Sequence, residues 1–235
     1  MATGGRRDTT PHTRPTAWLS WSTGKDAAFA LADVRRSGAC EIVGLLTTLT
    51  RSEGRVAMHG VREALLEGQA RALGLPLTKV DLPYPCSNAD YERAMRAALA
   101  PAQAAGVRQV VFGDLHLEDI RGYRETGLAR LGMEAVFPLW GRNTKELARA
   151  MIDAGIEARV CCLDPRRLDR ALVGEKFDRA FLEALPSEVD PCGENGEFHT
   201  FVTYAPGFEN RIGVSVGETS ERDGFVYADL VPVDR

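Results

Sequence analysis

The stretch Ser20–Ala27, SWSTGKDA, decides how the first half of the chain is read. It closes the short apolar segment AWLSW, Ala17–Trp21, and opens KDAAFALADVRR, Lys25–Arg36, which has helical character. A Gly-bearing turn between a strand and a helix is where open α/β sheets hold phosphates, on unpaired backbone N–H groups at the helix start. Two familiar phosphate patterns are excluded. Leu19 and Asp26 stand where a Walker loop needs Gly and Ser or Thr, and no G-x-G-x-x-G fingerprint is present.

Outward from that turn the chain alternates. EIVGLLTTL reads as a buried strand, and HGVREALLEGQARAL places Val61, Leu65, Leu66, Ala70 and Leu73 on one helical face. PLTKVDL, RQVVFGD and EAVFPLW read as further strands, separated by helical NADYERAMRAALAPA and YRETGLARLGM. NTKELARAMIDAG opens on an Asn143 cap with Glu146 three residues on and ends at Gly155. EARVCCL follows as a strand. Such alternation predicts an α/β doubly wound domain with a five-stranded parallel sheet over 17–140. A flexible tail is expected over 1–16. The remainder, 141–235, is expected to form a smaller α+β region, with the helix FDRAFLEAL and a closing β-hairpin turning around Glu221 to Gly224.

Hydrophobic residues make up 44% and charged residues 26%, enough for a sizeable core. The net charge of −4 argues against a dedicated nucleic-acid binder. No apolar run approaches the roughly 18 residues of a membrane span, and the N-terminal residues lack the apolar segment of a secretory signal. Five scattered cysteines suit a reducing cytosol better than a disulfide framework, so a cytoplasmic location is expected. Cys161 and Cys162, adjacent on one strand, face opposite ways and read as packing residues.

The turn Ser22-Thr23-Gly24-Lys25-Asp26 resembles the S-G-G-x-D-S pyrophosphate loop of the adenine nucleotide α-hydrolase superfamily, whose members split ATP between its α and β phosphates. Thr23 replaces the first Gly and Ala27 the final Ser. The chemistry suits the residues: hydroxyls on Ser22 and Thr23 and donors near Gly24 can hold pyrophosphate, and Lys25 can neutralise it. Asp26 is expected to bind Mg²⁺ or order the loop.

The superfamily resemblance implies two more contributors. Gly44 to Thr48, with Leu46 and Thr47, line the adenine through backbone. Gly113 and Asp114, ending a strand beside the first, approach the nucleotide, Asp114 binding Mg²⁺ or ribose. His59, read as opening the next helix, is either a ligand contact or a cap.

A second stretch, DPCGENGEFHTF over Asp190–Phe201, packs Cys, His, Asn, two Glu and two Gly together with no helical or strand period. Flanking Phe198 and Phe201 imply packing against the body, where buried polar groups need partners. With FGDLHLED, FPLWGRNTKELAR and WSTGKDA, it resembles the diphthine–ammonia ligase family from about Leu19 to Phe208. The resemblance implies ATP-dependent amidation with Mg²⁺: a carboxylate becomes an acyl-adenylate, then ammonia yields the amide and AMP.

Glu194, Asn195, Glu197, His199 and Thr200 are placed on the acceptor side. One of Glu194 and Glu197 is taken as base, a role that burial would favour by raising its pKa. His199 is either a proton shuttle or structural. The acceptor is diphthine on elongation factor 2 or an unrelated small carboxylate, and a homodimer is left open. Transfer-RNA thiolation and a non-catalytic nucleotide sensor are the competing readings.

Overall fold

The computed structural model describes residues 14–233. The expected tail over 1–16 falls mostly outside the described residues, and Thr16 already opens strand β1, Thr16–Ser20. Helix α1 spans Lys25–Ser37, followed by β2 Glu41–Thr50, β3 Arg55–Val56, α2 Glu63–Leu73 and β4 Leu77–Leu82. Then come α3 Asn88–Ala104, β5 Gln109–Val111, α4 Glu118–Ala129, β6 Glu134–Val136 and α5 Thr144–Asp153. The chain ends with β7 Glu157–Leu163, α6 Arg179–Ala184, β8 Phe198–Tyr204, β9 Val214–Arg222 and β10 Phe225–Pro232.

The larger sheet is mixed. Parallel ladders join β4 to β2, β2 to β1, β1 to β5 and β5 to β6. The two-residue β3 runs antiparallel to β2 and makes a sixth strand where five parallel ones were expected. Side chains on β1 alternate between faces, as the two-residue period requires. Ala17 and Leu19 share a core with Leu31 and Val34 of α1 and with Leu65 and Leu66 of α2. Trp18 packs instead with Leu99 and Ala102 of α3 and Leu128 of α4.

EARVCCL becomes β7, which joins a separate antiparallel sheet in the order β8-β7-β10-β9. Val160, Cys161 and Leu163 of β7 and Phe198, Phe201 and Val202 of β8 are buried in the same core as α1. The β9–β10 hairpin turns at Asp223 and Gly224, both at positive φ (52° and 80°), within the expected turn. One expectation fails outright: the second half of the polar stretch is strand β8, its period masked because Thr200, Phe201 and Val202 are buried in succession rather than alternately.

Strand order reverses at β1, with β2 on one side and β5 on the other. A crevice opens outside the carboxyl ends of strands at such a point.

Candidate functional site

A cavity of about 310 Å³ lies there. Ser20, Trp21 and Ser22 leave β1 into it, Leu46 to Thr48 belong to β2, and Gly113 and Asp114 follow β5. The far wall comes from the antiparallel sheet and its preceding loop: Cys192, Gly193, Glu194 and Phe198 to Thr200. The two polar stretches of the sequence therefore face one another across a single space.

The first loop is tightly held. Thr23 has φ of 74°, a left-handed conformation uncommon for a β-branched residue. Its carbonyl accepts from Val202 N at 2.9 Å and from Gln69 Nε2 at 3.1 Å. The side chain is fully buried, and its hydroxyl has no partner. Thr23 and Gly24 lie outside the cavity lining, so the Thr23 hydroxyl is not positioned for the phosphate contact expected of it. Gly24 supplies no side-chain cap to α1; the hydroxyl of Thr200 accepts from Lys25 N at 3.1 Å instead.

Lys25 is 1% exposed. Its ammonium donates to Asp26 Oδ2 at 2.9 Å and to the Cys192 carbonyl, and lies 5.2 Å from the Phe198 ring centre. One side chain thus ties the first loop to the second. Gly113 makes a further close approach: a Cβ there would stand 2.9 Å from the Asp26 carbonyl carbon and 3.0 Å from Ala27 N. Only glycine lets the end of β5 meet the first turn of α1. Asp114 pairs with Arg124, Oδ2 to Nε at 3.1 Å.

The two glutamates part company. Glu194 lines the cavity, and its Oε1 accepts from Leu115 N at 2.7 Å and His116 N at 3.2 Å. Burial pushes its carboxyl up, against the lowering effect of those two amides. Glu197 is 1% exposed and outside the lining. Its carboxylate accepts from Asp190 N at 3.1 Å, Asn195 N at 2.9 Å, Asn195 Nδ2 at 3.1 Å and Arg167 Nη2 at 3.4 Å. It pins its own loop, and neither it nor Asn195 reaches the acceptor space assigned to them.

His59 does line the cavity but does not open a helix; α2 starts at Glu63, and His59 occupies the turn before it. The sequence reading missed Trp21, Tyr91, Phe112 and Arg124 as lining residues. It also missed Gln69, buried, whose amide accepts from Trp21 Nε1 at 2.8 Å and donates to Thr23 O. A signal for Gln69 existed: it sits four residues after Leu65 on the apolar face of α2. Arg124 carried none, being one of many arginines on polar helix surfaces.

Residues 143–229 match the family model described as the diphthamide synthase C-terminal domain. The diphthine–ammonia ligase of Mus musculus is 34% identical over 117 residues, covering 47% of this chain and 43% of the mouse protein. That of Rattus norvegicus is 33% identical over 94 residues, 38% of this chain and 35% of the rat protein. Over these segments the chain is similar to the diphthine–ammonia ligases. The Schizosaccharomyces pombe ligase, 30% identical over 96 residues, is matched over 39% of this chain and 16% of its own length. The chain thus spans less than half the length of these curated ligases. The segment matching the family model contains Cys192, Gly193, Glu194 and Phe198 to Thr200, the whole far wall of the cavity.

Among the described residues, no helix is long and apolar enough to cross a membrane.

Proposed function

We propose that the chain is an ATP-dependent amide-forming ligase that adenylates a carboxylate and passes it to ammonia, with AMP and pyrophosphate as products. The observation that carries this reading is the meeting of the β1–α1 loop and the Glu194 loop across one cavity, tied by Lys25. Adenylation needs a phosphate cradle and an acceptor wall within reach of the same atoms.

The residues present fit a nucleotide. Ser22, Lys25 and the first turn of α1 supply donors for the phosphates. The C-terminal half of β2 offers Leu46 and Thr47 beside Trp21 for the base. The carboxylate oxygen attacks the α-phosphorus, and the bond to pyrophosphate breaks. Ammonia then forms the C–N bond as the C–O bond to AMP breaks, and the nitrogen sheds a proton. Glu194, its carboxyl raised by burial, is the acceptor of that proton.

Mg²⁺, when bound, would neutralise charge on the phosphates. No group of three or more metal-ligating side chains occurs among the described residues, which suits an ion held mainly by phosphate oxygens and one or two carboxylates. Asp26 and Asp114 would hold it, each giving up part of its ion pair with Lys25 or Arg124. A thiolating enzyme would need a reactive cysteine pair. Cys192 is the cysteine among the lining residues, and burial pushes its thiol well up.

Diphthine-bearing elongation factor 2 is the first acceptor to test, with small carboxylates beside it. Nucleotide chromatography after turnover should find AMP and pyrophosphate formed only with both ammonium and a carboxylate. ADP as the main product would refute the reading.

A further inference from the structure

Two imidazoles in the cavity have no task in the steps above. His59 and His199 lie ring against ring, centroids 4.6 Å apart and planes tilted by 34°. His59 rides the turn between β3 and α2, flanked by Met58 and Gly60 at positive φ (64° and 66°). Its Nδ1 is 3.1 Å from the Thr200 carbonyl. A carbonyl oxygen only accepts, so Nδ1 carries the hydrogen and Nε2 keeps a free lone pair. His199 comes from β8, and its Nε2 is buried with no partner.

Both rings stand beside the phosphate loop. A Cβ placed on Gly24 would lie 2.9 Å from His59 Cε1, the carbon between the two ring nitrogens. Thr200, which follows His199, caps α1 at Lys25. We propose that His59 and His199 form an anion subsite for the pyrophosphate end of the nucleotide, each donating to a phosphate oxygen from Nε2. This rests on the ATP-dependent reading.

The surrounding charges agree. Lys25 of α1, itself held by Asp26, bears on both rings; Glu197 bears on His199 from the preceding loop, and Cys162 of β7 is its cross-strand partner. Burial first, then the other histidine and Lys25, hold His59 well below the usual histidine range. Burial and then Lys25 bring His199 down to about 4, with Glu197 opposing. Burial pushes the Cys162 thiol up to about 12, so it stays neutral. Near neutral pH the rings are therefore uncharged, and an arriving polyanion supplies the opposite charge that lets His59 protonate. His59 already donates from Nδ1, so donating from Nε2 requires a proton from solvent. Pyrophosphate binding is thus coupled to proton uptake.

The test titrates the full-length chain with pyrophosphate by calorimetry at pH 7.5, in two buffers of different ionisation enthalpy. AMP, which lacks the β and γ phosphates, is the control. His59→Gln should lower uptake by most of roughly one proton per ligand bound. His199→Gln should weaken pyrophosphate about tenfold or more while AMP affinity stays level. Unchanged uptake and affinity in both variants would overturn the proposal, as would equal losses for AMP and pyrophosphate, or a parent that binds AMP but not pyrophosphate. In each of those cases ammonium-dependent AMP formation by the parent leaves the ligase reading standing. A parent that binds neither ligand and forms no AMP removes both.

Discussion

Glu194 and Glu197 are the same side chain three positions apart, yet their surroundings separate them. Glu194 lines the cavity and spends one oxygen, Oε1, on two backbone amides. Glu197 is enclosed by four donors. Glu194→Gln keeps an oxygen for those amides, so its melting temperature should stay near the parent's and ATP affinity should hold. Amide formation should fall by about 10² or more if the carboxylate takes the proton. Glu197→Gln turns an amide N–H toward donors in a buried place and should cost about 1–3 kcal/mol of stability. Thermal unfolding and product assays run in parallel separate the two. Full amidation by Glu194→Gln would remove that residue from the chemistry.

At the scale of elements, local and distant caps can be compared directly. Asn143 accepts from Glu146 N at 3.1 Å, a cap legible from four consecutive residues. Asn143→Ala should lower stability by about 1 kcal/mol, read by denaturant unfolding, without touching nucleotide affinity. Helix α1 has no such local device, and its cap comes from Thr200 on β8. The hydroxyl of Thr200 is therefore a structural clasp as well as a lining group. Nothing in the sequence near Gly24 announces it.

Across the whole molecule, the antiparallel sheet is fastened to the larger one beside the His59 turn. Asp229 on β10 accepts from Arg55 Nη2 and Arg62 Nε, both at 2.9 Å, and the Tyr227 ring packs against Gly60. The hydrogen bonds from Arg62, then that from Arg55, bring the Asp229 carboxyl down from 3.8 to about 2. A folded pKa below the unfolded one stabilises fully above the unfolded value and is lost as pH falls through the folded one. The window is therefore about pH 4 to 2. Asp229→Asn should cost about 1–2 kcal/mol at pH 7, after allowing for partial exposure of the arginines, and its difference from the parent should fade toward pH 2. A difference that persists unchanged to pH 2 would mean that the carboxylate's charge is not what holds the sheets together.

The alternation of strands and helices, the Asn143 cap and the Asp223-Gly224 turn were legible in the sequence, because each depends on residues within a turn or a strand of one another. The strand-turn-helix order at Ser20–Lys25 was legible for the same reason. What the sequence could not give is which distant groups meet. EARVCCL has the composition of any buried strand, and only the packing of β8 and β10 on either side of it assigns it to the second sheet. Likewise Glu197 and Thr23 carry the chemistry of site residues, and their burial away from the cavity involves contacts with Arg167, Gln69 and Val202 that lie elsewhere in the chain. Local backbone preference is written in neighbouring residues; desolvation and partner choice are set by the tertiary fold, and those decide what a polar side chain can do.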